Sequence, residues 1–264
     1  MAASGKERLA RNFSRAAPTY DQHAPCQRLA AGELLRQAER LQAVLAEGPA
    51  LEIGCGTGQL SGGLARLFPE RELLFADLSP AMLEICRARV EEACGPAPYR
   101  QWQVLDGEQL PARPQYALIA SGFALHWCAQ WAKVWQRWVR ALRPGGWLLC
   151  ACQGEGSFPE WEAQCRRLDL PCTANPLPRL ESLQQGLAGW PVEAQFWEQE
   201  MSLRYADALE FFRSLKRAGV ATKLCGTGLT SAQFRRLLGA WDAACPAGIE
   251  ITVRTCYAMV KRCR

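Results

Sequence analysis

One stretch constrains this chain more than any other: LEIGCGTGQLS, Leu51 to Ser61. Ala50 to Ile53 is a short apolar strand candidate, and Leu60 to Phe68 has helical spacing until Pro69 stops it. Gly54, Gly56 and Gly58 lie directly between the two. Glycine lets a backbone turn sharply and approach a ligand closely, and the helix N-terminus beyond it supplies unpaired N–H groups. The spacing is GxGxG rather than the dinucleotide GxGxxG, and no Lys-Ser or Lys-Thr follows, so this is not a phosphate-cradling loop. An acid, Asp77, ends the next strand candidate 19 residues after Gly58. There a carboxylate can accept hydrogen bonds from both hydroxyls of a ribose.

Around that loop the pattern alternates. Strands are expected at 50–53, 72–77, 99–105, 116–121 and 147–152, with helices at 26–45, 60–68, 80–93 and 131–142. The first of these helices draws its apolar residues from Leu29, Leu34, Leu35, Leu41, Val44 and Leu45. Ser79 before Pro80 supplies an N-cap and an N1 proline. Such alternation implies right-handed crossovers and a parallel sheet covered on both faces. After Gly154 the pattern changes, and residues 154–190 read as a helical insertion or lid. Helices at 206–218 and 230–244 then separate strand candidates at 194–204 and 249–261, with Gly219 as the C′ residue of the first helix. The expectation is one domain over 1–264: a helical lid at 1–45, a cofactor-binding core at 46–153, the insertion, and 191–264 with strands six and seven.

The totals exclude more than they assign. The 264 residues are 49% hydrophobic and 22% charged, enough for one large core. No apolar run reaches the roughly 18 residues of a membrane span. The opening residues, MAASGKERLAR, lack the apolar centre of a secretory signal. Thirteen cysteines are scattered without a CxxC, and Cys150 and Cys152 alternate inside an apolar run. They read as reduced, cytoplasmic thiols packed as small hydrophobes, with no metal site among them. A net charge of +5 is mild, and a nucleic-acid surface calls for denser charge with stacking aromatics.

The pattern ExGxGxG with an acid closing the second strand resembles motifs I and II of class I S-adenosylmethionine-dependent methyltransferases, over residues 50 to 152. SGFALHW, Ser121 to Trp127, and LRPGGWLL before strand five match as well. The resemblance implies an α/β, Rossmann-like fold with a mixed seven-stranded sheet in the order 3-2-1-4-5-7-6. It implies S-adenosylmethionine as cofactor and S-adenosylhomocysteine as product. It implies cofactor contacts from Glu52, Gly54, Cys55, Gly56, Gly58, Asp77, Leu78 and Met82, with Asp106 and Gly107 at the adenine and Ser121 after strand four. A nucleic-acid methyltransferase is disfavoured, because Ser121-Gly122-Phe123 stands where a (D/N)PP(Y/F) motif would.

Three further stretches are similar to the malonyl-acyl-carrier-protein O-methyltransferases of biotin synthesis. The N-terminal match runs through Phe13, Ser14, Ala16, Ala17, Tyr20, Asp21, His23, Ala24 and Gln27. GEGSFPEW, with Glu160, and LRYADALEFFRSLKRAGV, with Leu215, Lys216 and Gly219, extend it over nearly the whole chain. The resemblance implies methyl transfer to the free carboxylate of a malonyl group on acyl-carrier protein, or on coenzyme A, by a monomer. Another small acid or quinone-like acceptor remains an alternative. So does a non-catalytic scaffold, against which the intact Glu52, glycines and Asp77 weigh. A malonyl carboxylate is already ionised at neutral pH, so it needs positioning rather than a general base. Arg143, beside the PGG turn, either holds structure or orients that carboxylate. His126 either packs or hydrogen-bonds the substrate. Arg8, Arg11 and Arg15 share one helical face, and Arg213, Lys216 and Arg217 another. Each is a solvated face or a dock for an acidic carrier protein.

Thr19-Tyr20-Asp21-Gln22 looks like a capping box, but Pro25 would then fall in the second helical turn and disrupt it. A helix starting near Ala24, with Pro25 at N1, removes the conflict. Pro18 to His23 becomes an irregular connection that folds over the cofactor cleft and carries Tyr20 inward.

Overall fold

The computed structural model of the chain describes residues 5–221 and 228–263; Cys225, read above as a reduced thiol, lies outside them. Helix α1 is Gly5–Ala16, a 3-10 turn spans Ala17–His23, and α2 is Pro25–Leu41. Ala24 is the N-cap of α2 with proline in its first turn, the start that Pro25 demands. The helix ends at Leu41, four residues short of the expected 45, and the chain turns through 42–44. Leu29 and Val44 are 57% and 64% exposed, so two of the apolar residues assigned to its face lie outside it.

Strand β1 (Ala50–Ile53) leads through the glycine loop into α3 (Ser61–Leu67), then β2 (Leu73–Asp77), α4 (Pro80–Cys94), β3 (Arg100–Val104) and β4 (Tyr116–Gly122). Helix α5 (Trp131–Ala141) runs straight into β5 (Leu142–Gln153). The RPGG segment was expected as a turn ahead of that strand. Instead Leu142 already pairs with Tyr116, and the register then shifts so that Leu118 faces Trp147. The extra length is absorbed as an irregularity of the strand. Two helices, α6 (Pro159–Arg167) and α7 (Leu180–Gln185), follow. The long β6 (Val192–Tyr205), α8 (Ala208–Arg217), α9 (Ser231–Ala244) and β7 (Ile249–Arg262) complete the chain.

The seven strands make one sheet in the order β3-β2-β1-β4-β5-β7-β6, as the methyltransferase resemblance implied. The first five run parallel, and β7 is antiparallel to both β5 and β6. Every residue of β1 is buried, as are all but the last of β4, which is the signature of strands covered on both faces. One face packs on α2, α3 and α4 through Leu34, Leu64 and Cys86, and extends to Trp161 and Trp241. The other packs on α5 and α7 through Trp135, Trp138 and Leu183. The chain order reverses between β1 and β4, and there the carboxyl ends of neighbouring strands open a crevice.

Helix α4 shapes that crevice and is fixed at its start. The Ser79 Oγ accepts from the Met82 N–H at 3.2 Å and shares a 2.8 Å hydrogen bond with the Ser14 Oγ of α1. Replacing Ser79 with Ala removes both. A loss of about 1 kcal/mol, a melting temperature lower by roughly 2–4 °C, is expected. An unchanged thermal melt contradicts this reading of the cap.

Candidate active site

A cleft opens where β1 to β4 end. It brings together eight residues named from the sequence: Tyr20, Gly54, Gly56, Asp77, Leu78, Met82, Asp106 and Gly107. Gly54 and Gly56 have φ of 73° and 53°, a region that side chains rarely adopt. A Cβ on Gly54 would lie 2.5 Å from the Ala124 Cβ, whereas one on Gly56 would meet nothing within 4 Å. The first glycine is required by packing, and the second leaves open room at the cleft. The Asp77 carboxylate accepts from the Gly56 N–H at 2.9 Å and the Ser79 N–H at 2.8 Å. Burial pushes this carboxyl up, while those backbone donors and that of Leu78 oppose the shift. Each carboxylate oxygen retains acceptor capacity toward the cleft. A Cβ on Gly107 would lie 2.6 Å from Ile53, and the Gly107 carbonyl takes the Trp138 Nε1–H at 2.9 Å. Acids at Asp77 and Asp106 beside a glycine-lined groove with apolar walls at Leu78, Met82 and Leu105 fit a nucleoside with a thioether tail, so the residues present suit S-adenosylmethionine.

Four other residues named as cofactor contacts lie behind the cleft wall rather than on it. Ser121 is fully buried and donates to the Ile53 carbonyl at 2.9 Å, tying β4 to β1. Gly58, at φ 85°, brings the loop against α4, where a Cβ would sit 3.1 Å from the Cys86 Cα. Cys55 is buried beside Cys86. Glu52 is 3% exposed, and burial pushes its carboxyl well above the usual range, with the Cys86 side chain adding and Ser61 opposing. From there Glu52 supports the loop from below, beside Ser61 and Cys86. Arg143 requires a larger correction. Its guanidinium lies against Gly48 and donates to the Glu47 carbonyl at 3.1 Å, ahead of β1 and so at the opposite ends of the strands from the cleft. It lines neither cavity, because β5 begins at Leu142 and carries this residue away from the strand ends that form the cleft.

Helix α1 and the 3-10 turn cover the cleft. Lys6, Leu9 and Phe13 line it from above. Lys6 pairs with Asp106 at 2.6 Å and Glu108 at 2.7 Å. The Phe13 ring meets Trp127 edge-on at 5.6 Å and Tyr20 at 6.3 Å. Asp21 provides the tightest connection. Its carboxylate accepts from the Thr57 hydroxyl at 2.6 Å and the Gln59 amide at 2.8 Å, both in the glycine loop, and pairs with Arg89 of α4. Burial works against its charge, but the Arg89, Thr57 and Gln59 donors outweigh it and hold the carboxyl below its ordinary value. Burial pushes the Tyr20 phenol up, helped by the charges of Asp77 and Asp21 and opposed by Gln27. Tyr20 therefore stays a neutral donor.

A second cavity, of about 360 Å³, shares Phe123 and Trp127 with the cleft. Its far wall is aromatic, with Phe158, Trp161, Phe211 and Phe212. No Lys, Arg, Asp or Glu among the described residues lines it. His126, which does, is 6% exposed, and burial lowers its pKa to about 3. The Gln153 N–H donates to its Nδ1 at 3.3 Å, which leaves Nε2–H as the donor of a neutral ring. Among the described residues, two of the three non-glycine positions with positive φ, Phe123 and Phe158, line this cavity. Strain of that kind persists where the surroundings over-determine it.

The model of a methyltransferase domain matches residues 51–148. Among solved structures, the YcgJ protein of Bacillus subtilis is 16% identical, covers 88% of this chain and 99% of its own, and superposes with a TM-score of 0.60. A methyltransferase-like protein of Bacillus halodurans gives 0.59 at 14% identity, over 87% and 99% of the two chains. These two show the fold. A malonyl-[acyl-carrier protein] O-methyltransferase of Magnetococcus marinus is 32% identical over 97% of this chain and 92% of its own. This chain belongs to that family. The counterpart from Enterobacter lignolyticus is 34% identical over 93% and 95% of the two chains. A bifunctional biotin-biosynthesis protein of Bordetella avium is 34% identical over 97% of this chain, which spans 52% of that longer protein.

The family resemblance had already marked Phe13, Asp21, Gln27 and Trp127, but gave none of them a role. Lys6, Thr57, Gln59 and Arg89 carried no signal, because their partners lie far away in sequence. Replacing Asp21 with Ala removes three donors' shared acceptor, and S-adenosylhomocysteine should bind roughly tenfold more weakly at neutral pH. The ionised carboxylate makes this contribution above its unfolded pKa, and the contribution fades as pH falls through the lower folded value. Equal affinities by calorimetry contradict it. His126 stays neutral when folded, so stability should fall as pH drops from about 6.5, where the unfolded ring protonates, toward about 3. His126→Gln should flatten that acid slope in thermal melts; an unchanged slope contradicts the assignment.

Proposed function

We propose that this chain methylates the free carboxylate of a malonyl thioester carried on acyl-carrier protein, giving the methyl ester from which pimeloyl and biotin synthesis proceed. The observation that carries the reading is the pairing of two spaces at Phe123 and Trp127: a cofactor cleft with an acid and glycines, and an apolar cavity without a charged side chain among its described residues. Family membership supports the substrate class, since the relatives above are named for that reaction.

When bound, S-adenosylmethionine supplies a methyl already activated on a sulfonium cation. Asp77 and the loop glycines hold its nucleoside end, and Leu78, Met82 and Leu105 wall the groove. The acceptor is an ionised carboxylate, so no side chain has to remove a proton. Transfer neutralises both charges. An enclosure of low polarity that excludes water strengthens their attraction and favours that outcome. Tyr20 in the cleft and His126 in the cavity provide one neutral hydrogen-bond donor in each space. They orient the carboxylate without the full neutralisation that a Lys or Arg would impose on the nucleophile. A monomer working with reduced thiols in the cytoplasm fits the twelve free cysteines of the described residues. The scatter of Leu29, Val44 and Val104, the exposed large apolar residues, fits it too.

A methyl-transfer assay comparing malonyl-carrier protein, malonyl-coenzyme A and free malonate tests the substrate, and failure to esterify any malonyl compound refutes the proposal. With ionised acceptor and neutral donors, kcat should stay flat from about pH 6 to about pH 9. A bell-shaped profile points to a general base instead. Tyr20→Phe should lower kcat about tenfold with an unchanged melting temperature. Normal turnover removes Tyr20 from the mechanism.

A further inference from the structure

The two basic helical faces, about 200 residues apart in sequence, adjoin in the fold. Gly219, directly beyond α8, has φ 73° and packs so closely that a Cβ would lie 3.1 Å from the Asn12 carbonyl and 3.2 Å from the Phe13 ring of α1. Arg11 and Arg15 on α1, and Arg213, Lys216 and Arg217 on α8, are all exposed. None of these five pairs with an acid among the described residues. Helix dipoles explain Arg15, Lys216 and Arg217, which sit in last turns, but not Arg11 or Arg213.

The inner faces of the same helices serve the two cavities. On α1, Leu9 and Phe13 roof the cofactor cleft. On α8, Ser214 and Leu215, with Ala218 beyond, wall the apolar cavity together with His23 of the 3-10 turn and Gln27 of α2. A body resting on the outer faces sits over the seam between cover and wall.

We propose that this shared basic face is the dock for an acidic carrier protein bearing the acyl-pantetheine arm, and that docking across the seam holds α1 down on the cofactor. The inference rests on the proposed function. Half of the dock lies on the cover and half on the body, so the carrier binds the closed arrangement better than an open one. By linkage, the carrier then tightens cofactor binding, and the cofactor tightens carrier binding by the same factor. Steering by like-charged clusters also makes association salt-sensitive.

Two double variants separate the halves: Arg11→Glu with Arg15→Glu, and Arg213→Glu with Arg217→Glu. Each should raise KM for malonyl-carrier protein about tenfold or more. Each should leave kcat/KM for malonyl-pantetheine, which has no protein to dock, within about twofold of wild type. Calorimetry with wild type should show S-adenosylhomocysteine binding several-fold more tightly when apo carrier protein is saturating, and both variants should lose that gain. Unchanged carrier KM in both variants overturns the dock. Equal cofactor affinity with and without carrier in wild type overturns the coupling. Absence of any turnover of malonyl-carrier protein by wild type counts against the proposed function instead, and leaves the binding measurements to decide the dock.

Discussion

The site depends on a carboxylate that sits on the cover. Asp21 joins a segment at the start of the chain to the glycine loop through Thr57 and Gln59 and to α4 through Arg89. Without it, the loop, the crevice and Asp77 remain, and the cover keeps only its packing on α2, α4 and α8 with the Ser14–Ser79 and Lys6 contacts of α1. Helix α1 has 12 residues, a length that is marginal for an isolated helix in water. Burying Leu9 adds only about 1.5–3 kcal/mol. Beside the Lys6 and Ser14 contacts of α1, a charge-assisted bond set of similar size therefore shifts the balance toward a closed cover. Weakness of this kind is useful, since a cofactor roofed by Phe13 and Leu9 has to leave after each turnover.

Much of the cleft was legible from local pattern. The glycines, Asp77 and Asp106-Gly107 each follow a strand, and strand ends are where an open parallel sheet binds ligands. Pro25 likewise fixed the start of α2 by excluding the alternative. Local pattern was silent about direction. Glu52 alternates correctly along β1, yet its neighbours there, Ser61 and Cys86, place it under the loop. Arg143 adjoins a motif, but the strand that begins one residue earlier places it at the end away from the cleft. The exposed Leu29 shows the same limit, because spacing alone does not say which side of α2 will be covered.

The apolar cavity was the least legible part. Its walls come from the turn before α2, the segment after β4, the insertion, β6, α8 and β7, so no window of sequence contains them. Its polarity nevertheless matches what the chemistry requires. A reaction that joins a cation and an anion gains from an enclosure that lacks other charges, and the described lining sets the neutral ring of His126 among aromatic walls, with Tyr20 in the adjoining cleft. The same contrast holds between the outer faces of α1 and α8, which are charged, and the described lining of the apolar cavity, which is not.

Hydrogen–deuterium exchange across residues 5–23 tests the central claim, that Asp21 closes the cover on the cofactor loop. Wild type with S-adenosylhomocysteine should show this segment protected by about tenfold or more over Asp21→Ala under the same conditions, with β4 equally protected in both. Equal protection of residues 5–23 in the two proteins would contradict it.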